Sequence, residues 1–304
     1  MTTVPLDELR ALIEKHAVPD SRSLPLPGLL LGIESGPTPP CQLVLEPVFA
    51  LIAQGAKRVE VGRQTFGYHA GQFLIVSVDL PADAHVVAAT PEVPYLGCGL
   101  TLRPEAIASL LLESGGARAV GTDRPGIAIS DLSGDLVDSV VRLLRLLDRP
   151  SDVPILASAL EREILWRLIN GPQGALVRQI GLADSRMSQI GHAVRWLRSH
   201  FAETARIEDL AEIACMSVTS FHRHFRIVTS LTPIQYQKQL RLQAARVRLM
   251  AASEDVTEVG FAVGYDSPSQ FSREYRRMFG KPPGQDVMYL RANPTPARTS
   301  SDGV

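Results

Sequence analysis

Apolar positions along this chain follow two different periods. From Leu29 to Leu102 they fall in short β-rich runs broken by glycine and proline: Leu29 to Ile33, Cys41 to Ala53, Arg58 to Val61, Thr65 to Tyr68, Gln72 to Val78, His85 to Thr90 and Tyr95 to Leu102. Val59 and Val61 alternate with Arg58 and Glu60, and Gly62-Arg63 reads as a hairpin turn. Strands at this close spacing predict a barrel or a two-sheet sandwich. Ahead of them, Leu9, Leu12 and Ile13 line one side of a helix over Leu6 to His16, ended by Pro19. A proline-rich passage, Leu24 to Pro27, leads into the first strand, and Pro37 to Pro40 reads as a loop. From Pro104 the period becomes helical, predicting helices over Pro104 to Glu113, Leu132 to Leu147 and Val153 to Ile169. The stripe Leu136, Val140, Leu143, Leu144 and Leu147 is dense enough to read as core. Gly171 to Gly174 breaks the third of these helices, and Val177 to Ser188 connects to a further one with Ile190, Val194, Leu197 and Phe201 on its buried side.

The C-terminal pattern contains one unit written twice. The first copy places Leu210, Ile213 and Ala214 before a short break, and Phe221, Phe225 and Val228 after it. The second places Val259, Ala262 and Val263 before the break, and Phe271, Tyr275 and Met278 after it. The offset is 49 before the break and 50 after it, so the second turn holds one extra residue, where loops tolerate insertion. Each copy predicts helix, tight turn, helix. The second helix of each carries a polar face opposite its apolar stripe: Thr219, His222, Arg223 and Arg226 in one, Ser269, Ser272, Arg273 and Arg276 in the other. Those spacings put each set on one side of a helix. Arginine and small hydroxyl side chains suit phosphate oxygens and base edges, and the second helix of a helix-turn-helix is the one that enters the major groove. Arg223 and Arg273 are the strongest candidates for reading bases, Arg226 and Arg276 for holding phosphates. Pro268 starts its helix and leaves Ser269, Gln270 and Ser272 to make base contacts; His224 is placed to face a neighbouring helix.

Between the copies, Thr232 as N-cap and Pro233 at the first helical position open a long helix with Tyr236, Leu240, Ala244 and Val247 on one side. At 1.5 Å per residue it spans ~28 Å, close to the ~34 Å between successive major-groove faces, so one chain can present two reading helices one DNA turn apart. Asp255 and Glu258 form an acidic capping box at the second unit.

The segment GYDSPSQFSREYRRMFGKPP, Gly264 to Pro283, within a stretch from about Ile190 to Tyr289, resembles the DNA-binding domain of the AraC/XylS family of bacterial transcription regulators. Cys215 stands where that family usually has a turn glycine. CQLVLEPVFALIAQGAKRVEVGRQTFGYHAGQFLIVSVDLP, within Cys41 to Ile180, is similar to the cupin-type sensory domain of one AraC subgroup. The resemblance implies a mainly-β cupin-like barrel with flanking helices over residues 1–180, then an all-α domain of two helix-turn-helix units joined by a long helix over 181–291, and a disordered tail over 292–304. It further implies a cytoplasmic homodimer that acts on promoter DNA, with RNA polymerase and a small-molecule effector as partners, no cofactor, and a role as activator.

Charge and cysteine usage agree with that division. Residues 1–187 hold 16 Lys/Arg against 21 Asp/Glu, residues 188–291 hold 14 against 10, and the remainder one of each, which sums to the net −1. A basic C-terminal part on an acidic remainder fits nucleic acid as the partner of the former. Cys41, Cys98 and Cys215 are too far apart in sequence for metal-ligand spacing, a reducing-compartment pattern. The N-terminus lacks the order of a secretion signal, and no apolar run reaches membrane-spanning length. His69 and His85 lack an HxH pair, so a cupin metal site cannot be completed, and no nucleophile motif, phosphate loop or dinucleotide fingerprint occurs. A small-molecule-binding cupin enzyme with a helical appendage is therefore the lesser alternative, and a DNA-repair alkyl-transfer activator would need a zinc-bound cysteine cluster. Cys98 shares a strand face with Leu96, Leu100 and Leu102 and reads as a small buried hydrophobe rather than a thiol sensor.

Overall fold

A computed structural model describes residues 4–19, 21–115, 125–182, 185–251 and 254–292. Helix α1 (Val4–His16) precedes β1 (Ser21–Leu26), β2 (Leu29–Glu34), β3 (Cys41–Leu45), β4 (Val48–Gln54), β5 (Ala56–Val61), β6 (Gln64–His69), β7 (Gln72–Val76), β8 (Leu80–Ala88) and β9 (Tyr95–Thr101). Helix α2 (Pro104–Glu113) and β10 (Ile127–Asp131) follow, then α3 (Gly134–Arg145), two 3₁₀ turns, α4 (Val153–Asn170), α5 (Gly174–Gly181) and α6 (Arg186–Ser199). The strands form a six-stranded sheet, β1-β2-β9-β4-β7-β10, and a four-stranded sheet, β3-β8-β5-β6, with antiparallel pairing throughout. This is the two-sheet β domain that the strand spacing predicts, with α1 against β2, β4 and β9 of the larger sheet, α3 against α1, and α4 against α3.

Several boundaries differ for identifiable reasons. The passage Leu24 to Pro27, expected to be irregular, lies mostly in β1, because an edge strand tolerates the missing N–H of Pro25. Cys41 to Ala53 is two strands divided at Glu46-Pro47, where Pro47 cannot donate to a ladder. The strand expected from His85 begins at Leu80, the five-residue β10 lies outside the expected elements, and so does α5, which starts on Gly174 inside the expected break and has only eight residues. Gly62-Arg63 does turn the β5–β6 hairpin, with Val61 opposite Gln64 and Gly62 at φ +62°. The α3 stripe is core as read: Leu136, Val140, Leu143 and Leu144 are buried. Cys98 is buried at 5 % exposure and burial alone pushes its thiol up to about 12, which keeps it protonated and unreactive at neutral pH. His69 is exposed, with Nδ1 3.0 Å from the Ala70 carbonyl, while His85 lies across from Arg58 between β8 and β5. Among the described residues no helix is long and apolar enough to cross a membrane. The expected tail lies outside the described residues from 293 onward.

The remaining elements are α7 (Ile207–Ile213), α8 (Val218–Thr229), α9 (Pro233–Ala251), α10 (Val256–Ala262), α11 (Pro268–Phe279) and α12 (Pro283–Ala292). Helix α9 does not have a single apolar side. Tyr236 and Leu240 are buried in a core continuous with the β domain, whereas Leu242, Ala245 and Leu249 belong to a second core containing Val259, Phe271 and Tyr275. Val247, expected on the buried side, is 60 % exposed because the stripe moves round the helix between Leu240 and Leu242. Ala262, likewise expected in the core, is exposed, and Gly260 takes the close-packed place against Phe271.

Candidate nucleic-acid interface

The two units repeat down to their backbone details. Met216 N–H bonds to the Ala211 carbonyl at 2.9 Å, and Tyr265 N–H to that of Gly260 at 3.0 Å. Both turns pass through a left-handed residue, Cys215 at φ +50° and Gly264 at φ +91°. The turn geometry therefore survives the cysteine, at the steric cost of a side chain in a region that glycine enters freely. Serine then caps each second helix: Ser217 Oγ accepts from Ser220 N–H at 3.3 Å, and Ser267 Oγ from Gln270 N–H at 3.4 Å. Both helices also end left-handed, at Ser230 (φ +61°) and Gly280 (φ +79°). The turn residues match at offset 49 and the caps at 50, so Asp266 is the inserted residue.

On this frame Phe221, Phe225 and Val228 bury one side of α8, while Phe271 and Tyr275 bury one side of α11. Thr219, His222, Arg223 and Arg226 are exposed on α8, and Ser269, Gln270, Arg273 and Arg276 on α11, with Ser272 half-buried. The Arg223 guanidinium lies 3.1 Å from His224 Nε2. His224, placed by sequence against a neighbouring helix, is buried. Both faces are thus open to solvent on capped helices, each with two exposed arginines one turn apart.

The residues that orient these helices are polar and buried, and periodicity did not single them out. Glu274, the counterpart of His224, accepts from Lys238 Nζ at 2.7 Å and from the Tyr265 hydroxyl at 2.9 Å, tying α11 to α9 and to its own turn. Burial would raise its carboxyl, but the bonds from Lys238 and Tyr265 outweigh it and hold the group below its usual range. Asp286 on α12 takes a two-pronged bond from Arg246 at 2.9 and 3.1 Å and a third from the Tyr275 hydroxyl at 2.9 Å. At the helix starts, Thr232 and Gln235 form a reciprocal capping box at 3.0 and 3.3 Å. Asp255 Oδ1 accepts from Thr257 and Glu258 N–H, which lowers its carboxyl pKa.

Residues 25–176, half of the chain, match the family described as AraC-type transcriptional regulator N-terminus. The chain belongs to the AraC-type transcriptional regulators. Residues 210–287 match a helix-turn-helix domain family. Among curated relatives of this AraC-type chain, the HTH-type transcriptional activator RhaS of Escherichia fergusonii is 32% identical over 149 residues, 48% of this chain and 52% of its own length. RhaS of Enterobacter sp. is 33% identical over 111 residues, 36% and 39% of the two chains. The chain spans about half the length of the curated relatives it matches. Among solved structures, ToxT of Vibrio cholerae with an unsaturated fatty acid bound superposes at TM-score 0.53 and 10% identity over 86% of this chain and 95% of that one. A 1.65 Å ToxT structure gives 0.54 at 7% identity, over 86% and 98%. At such identities the likeness concerns the fold, a β-rich domain followed by a helical one.

Proposed function

We propose that this AraC-type chain is a sequence-specific DNA-binding transcription regulator, an activator like RhaS in its naming, working on promoter DNA together with RNA polymerase in the cytoplasm and without enzymatic activity. The observation that carries the reading is the repetition of an exposed polar face on α8 and α11, on identically capped helices, fifty residues apart. Residues 1–180 serve as the sensory and dimerisation part and 181–291 as the DNA-binding part. Random-site selection with the purified chain, followed by gel-shift titration on the selected duplex and on the protein's own upstream region, tests it. Selection of one bipartite sequence is expected; recovery of no sequence preference would favour the cupin-enzyme alternative.

The barrel is proposed to take a small-molecule effector, a reading supported by the family of residues 25–176 and by a fatty acid in the structurally similar ToxT. An effector acts only through different affinity for two functional states. Thermal-shift screening of metabolites, fatty acids and aldehydes is the test, and a hit must also change DNA affinity. The dimer is proposed to form through the helices after Asp131. With the α3 stripe buried, the surface that supports it is on α4, where Ile155 (75 % exposed), Ala159, Arg162 and Trp166 (43 % exposed) share one side. Linking two DNA-binding parts multiplies affinity through effective concentration. Light scattering should give a dimer for the whole chain and a monomer for Ile155→Glu; a monomer in both would remove the proposal.

A further inference from the structure

Helix α9 connects the two helix-turn-helix units, yet their cores are separate, so a helix alone leaves open how the second unit is turned about it relative to the first. The second unit packs on α9 through Leu242, Ala245 and Leu249, and one α9 side chain bonds in addition to both bodies. Arg241, in the middle of α9, donates Nε to the Phe201 carbonyl at 2.7 Å, and Nη2 to the carbonyls of Glu203 at 2.8 Å and Ala202 at 3.3 Å. Its Nη1 donates to the Gly264 carbonyl at 2.6 Å. The first three acceptors lie in the segment between α6 and α7, before the first unit. The fourth is the left-handed turn residue of the second unit, four positions before α11 begins. The planar guanidinium fork, with five donors in fixed directions, suits four carbonyls that converge from two bodies, a task beyond a single ammonium. Gln237, one turn earlier on α9, adds bonds from Nε2 to the Phe201 and Glu203 carbonyls at 3.1 and 2.6 Å. Gly264 completes the contact: a Cβ there would collide with the Ala202 carbonyl and with the Arg241 guanidinium itself.

We infer that Arg241 is a positioning residue for DNA recognition: by stapling the turn of the second unit to the entrance of the first, it sets the rotation between α8 and α11 and so the spacing of the two base-pair sets the protein accepts. The inference rests on the DNA-binding reading above. Arg241 does not lie on either reading face, so its effect passes through geometry and not through contact with DNA. A rigid pair of readers penalises any change in the separation of their half-sites, because one base pair rotates one half-site by about a tenth of a DNA turn relative to the other. A loosened pair follows the change at lower cost, while binding the matched site less well because the orientation must be restored on binding.

The test uses the full chain, a duplex obtained by random-site selection with the unaltered protein, and the same duplex with one base pair inserted or deleted between its two contacted segments. The unaltered chain should lose roughly tenfold or more in affinity for either altered duplex, the order of one mismatched position. Arg241→Met, which keeps most of the apolar stem, should bind the matched duplex more weakly and show a spacing penalty reduced to within about threefold. Its salt dependence should be unchanged, since no phosphate contact is lost. Arg241→Lys should resemble Arg241→Met, because one ammonium cannot serve both bodies. An unchanged spacing penalty in a folded Arg241→Met chain overturns the inference, as does a salt slope reduced by ~1, which would make Arg241 a phosphate contact. If Arg241→Met fails to fold, Arg241→Lys and Gln237→Ala carry the same comparison, and an unchanged penalty in both overturns it equally. Failure of the unaltered chain to select any duplex would instead defeat the DNA-binding reading, and this inference with it.

Discussion

At the scale of single residues, Arg223 and Arg273 occupy the same place in two copies of one helix, exposed and pointing away from buried Phe221 and Phe271. Changing either to Ala should cost ~1–3 kcal/mol in DNA binding and relax preference at a few base pairs, at two sets of positions about one DNA turn apart. Arg226→Ala or Arg276→Ala should weaken binding to all sequences alike and lower the salt slope by ~1. A gel-shift series over base substitutions and salt separates the two outcomes, and a uniform loss for Arg223→Ala would reassign it to phosphates. The faces could be read from sequence because exposed polar positions on an amphipathic helix follow from its apolar ones. Glu274 and Asp286 could not, since a buried carboxylate interrupts an apolar stripe without announcing its partner; what binds them is Lys238, Tyr265, Arg246 and Tyr275, from other elements. Cys215 is the complementary case: sequence marked it as an exception at a glycine position, and it does hold a left-handed φ of +50°. Cys215→Gly should therefore raise stability by about 0.5–1 kcal/mol, relief of the left-handed strain exceeding the entropy glycine adds to the unfolded chain. A lower thermal midpoint in that variant would show that the thiol side chain contributes contacts outweighing the strain.

Among elements, α3 and α4 are joined by a polar cluster centred on one carboxylate, beside which Arg167 also bonds Asp135 at 3.0 Å. Glu163 on α4 accepts from Arg142 of α3 at 2.5 Å, from Ser139 of α3 at 3.1 Å and from Arg167 at 3.0 and 3.2 Å. The Arg142 bond, followed by those of Arg167 and Ser139, pulls its carboxyl down to about 2 against the opposing effect of burial. A depressed folded pKa means that the unfolded chain binds the proton first, so this contribution is complete above about pH 4.5 and is lost as pH falls toward 2. Glu163→Gln should destabilise the N-terminal part by ~1–2 kcal/mol at neutral pH, with the gap to the unaltered chain closing below pH ~3. Chemical denaturation at several pH values measures it, and a gap independent of pH would mean that packing, not charge, is lost. The helices expected over Pro104 to Glu113, Leu132 to Leu147 and Val153 to Ile169 agree with α2, α3 and α4 to within two residues, whereas α5 has no counterpart because Gly171 to Gly174 reads as a break. The strands lost at β1 and β10, and the undivided run over β3 and β4, were short or proline-bearing stretches whose identity as strands depends on neighbours in the sheet. Helix α9 shows the same limit from the other side, since only the packing partners reveal that its single apparent stripe is two half-stripes serving different cores.

For the whole molecule, the decisive feature is that the two-sheet β domain shares its core with the first helix-turn-helix unit and not with the second. The β domain holds the C-terminal end of α8. Gly126 N–H donates to the Val228 carbonyl at 2.9 Å, and Ser230 Oγ to Gln64 Oε1 at 2.9 Å. Gly126 and Gly62 lack side chains where a Cβ would meet the Val228 and Ser230 carbonyls. Beside this grip, the Tyr236 hydroxyl donates to the Asp79 carbonyl at 2.8 Å, and Arg198 of α6 bridges Asp79 at 3.2 Å and Glu46 at 2.7 Å. A change of the β domain therefore reaches α8 directly, and α11 through α9 and the segment between α6 and α7 that abuts Gly264. Tyr236→Phe strands a buried carbonyl and should cost ~1–3 kcal/mol, seen as faster hydrogen exchange at the Gly126 amide, whose bond crosses the contact. The pH dependence here has the opposite sign to that of Glu163. Burial raises the Asp79 carboxyl more than Arg198 lowers it, with Glu46 adding to the rise and Arg195 opposing it. The folded state therefore keeps the proton longer, and the stability this group contributes is fully present below about pH 3.8 and is lost as pH rises through its elevated pKa. Asp79→Asn removes that titration, so its stability relative to the unaltered chain should improve from about pH 4 up to that elevated pKa and level off above it. Paired denaturation curves across that range decide the matter. A difference that stays flat, or that widens in favour of the unaltered chain as pH rises, would show Arg198 to be strong enough to make the buried carboxylate a net anchor between the two parts.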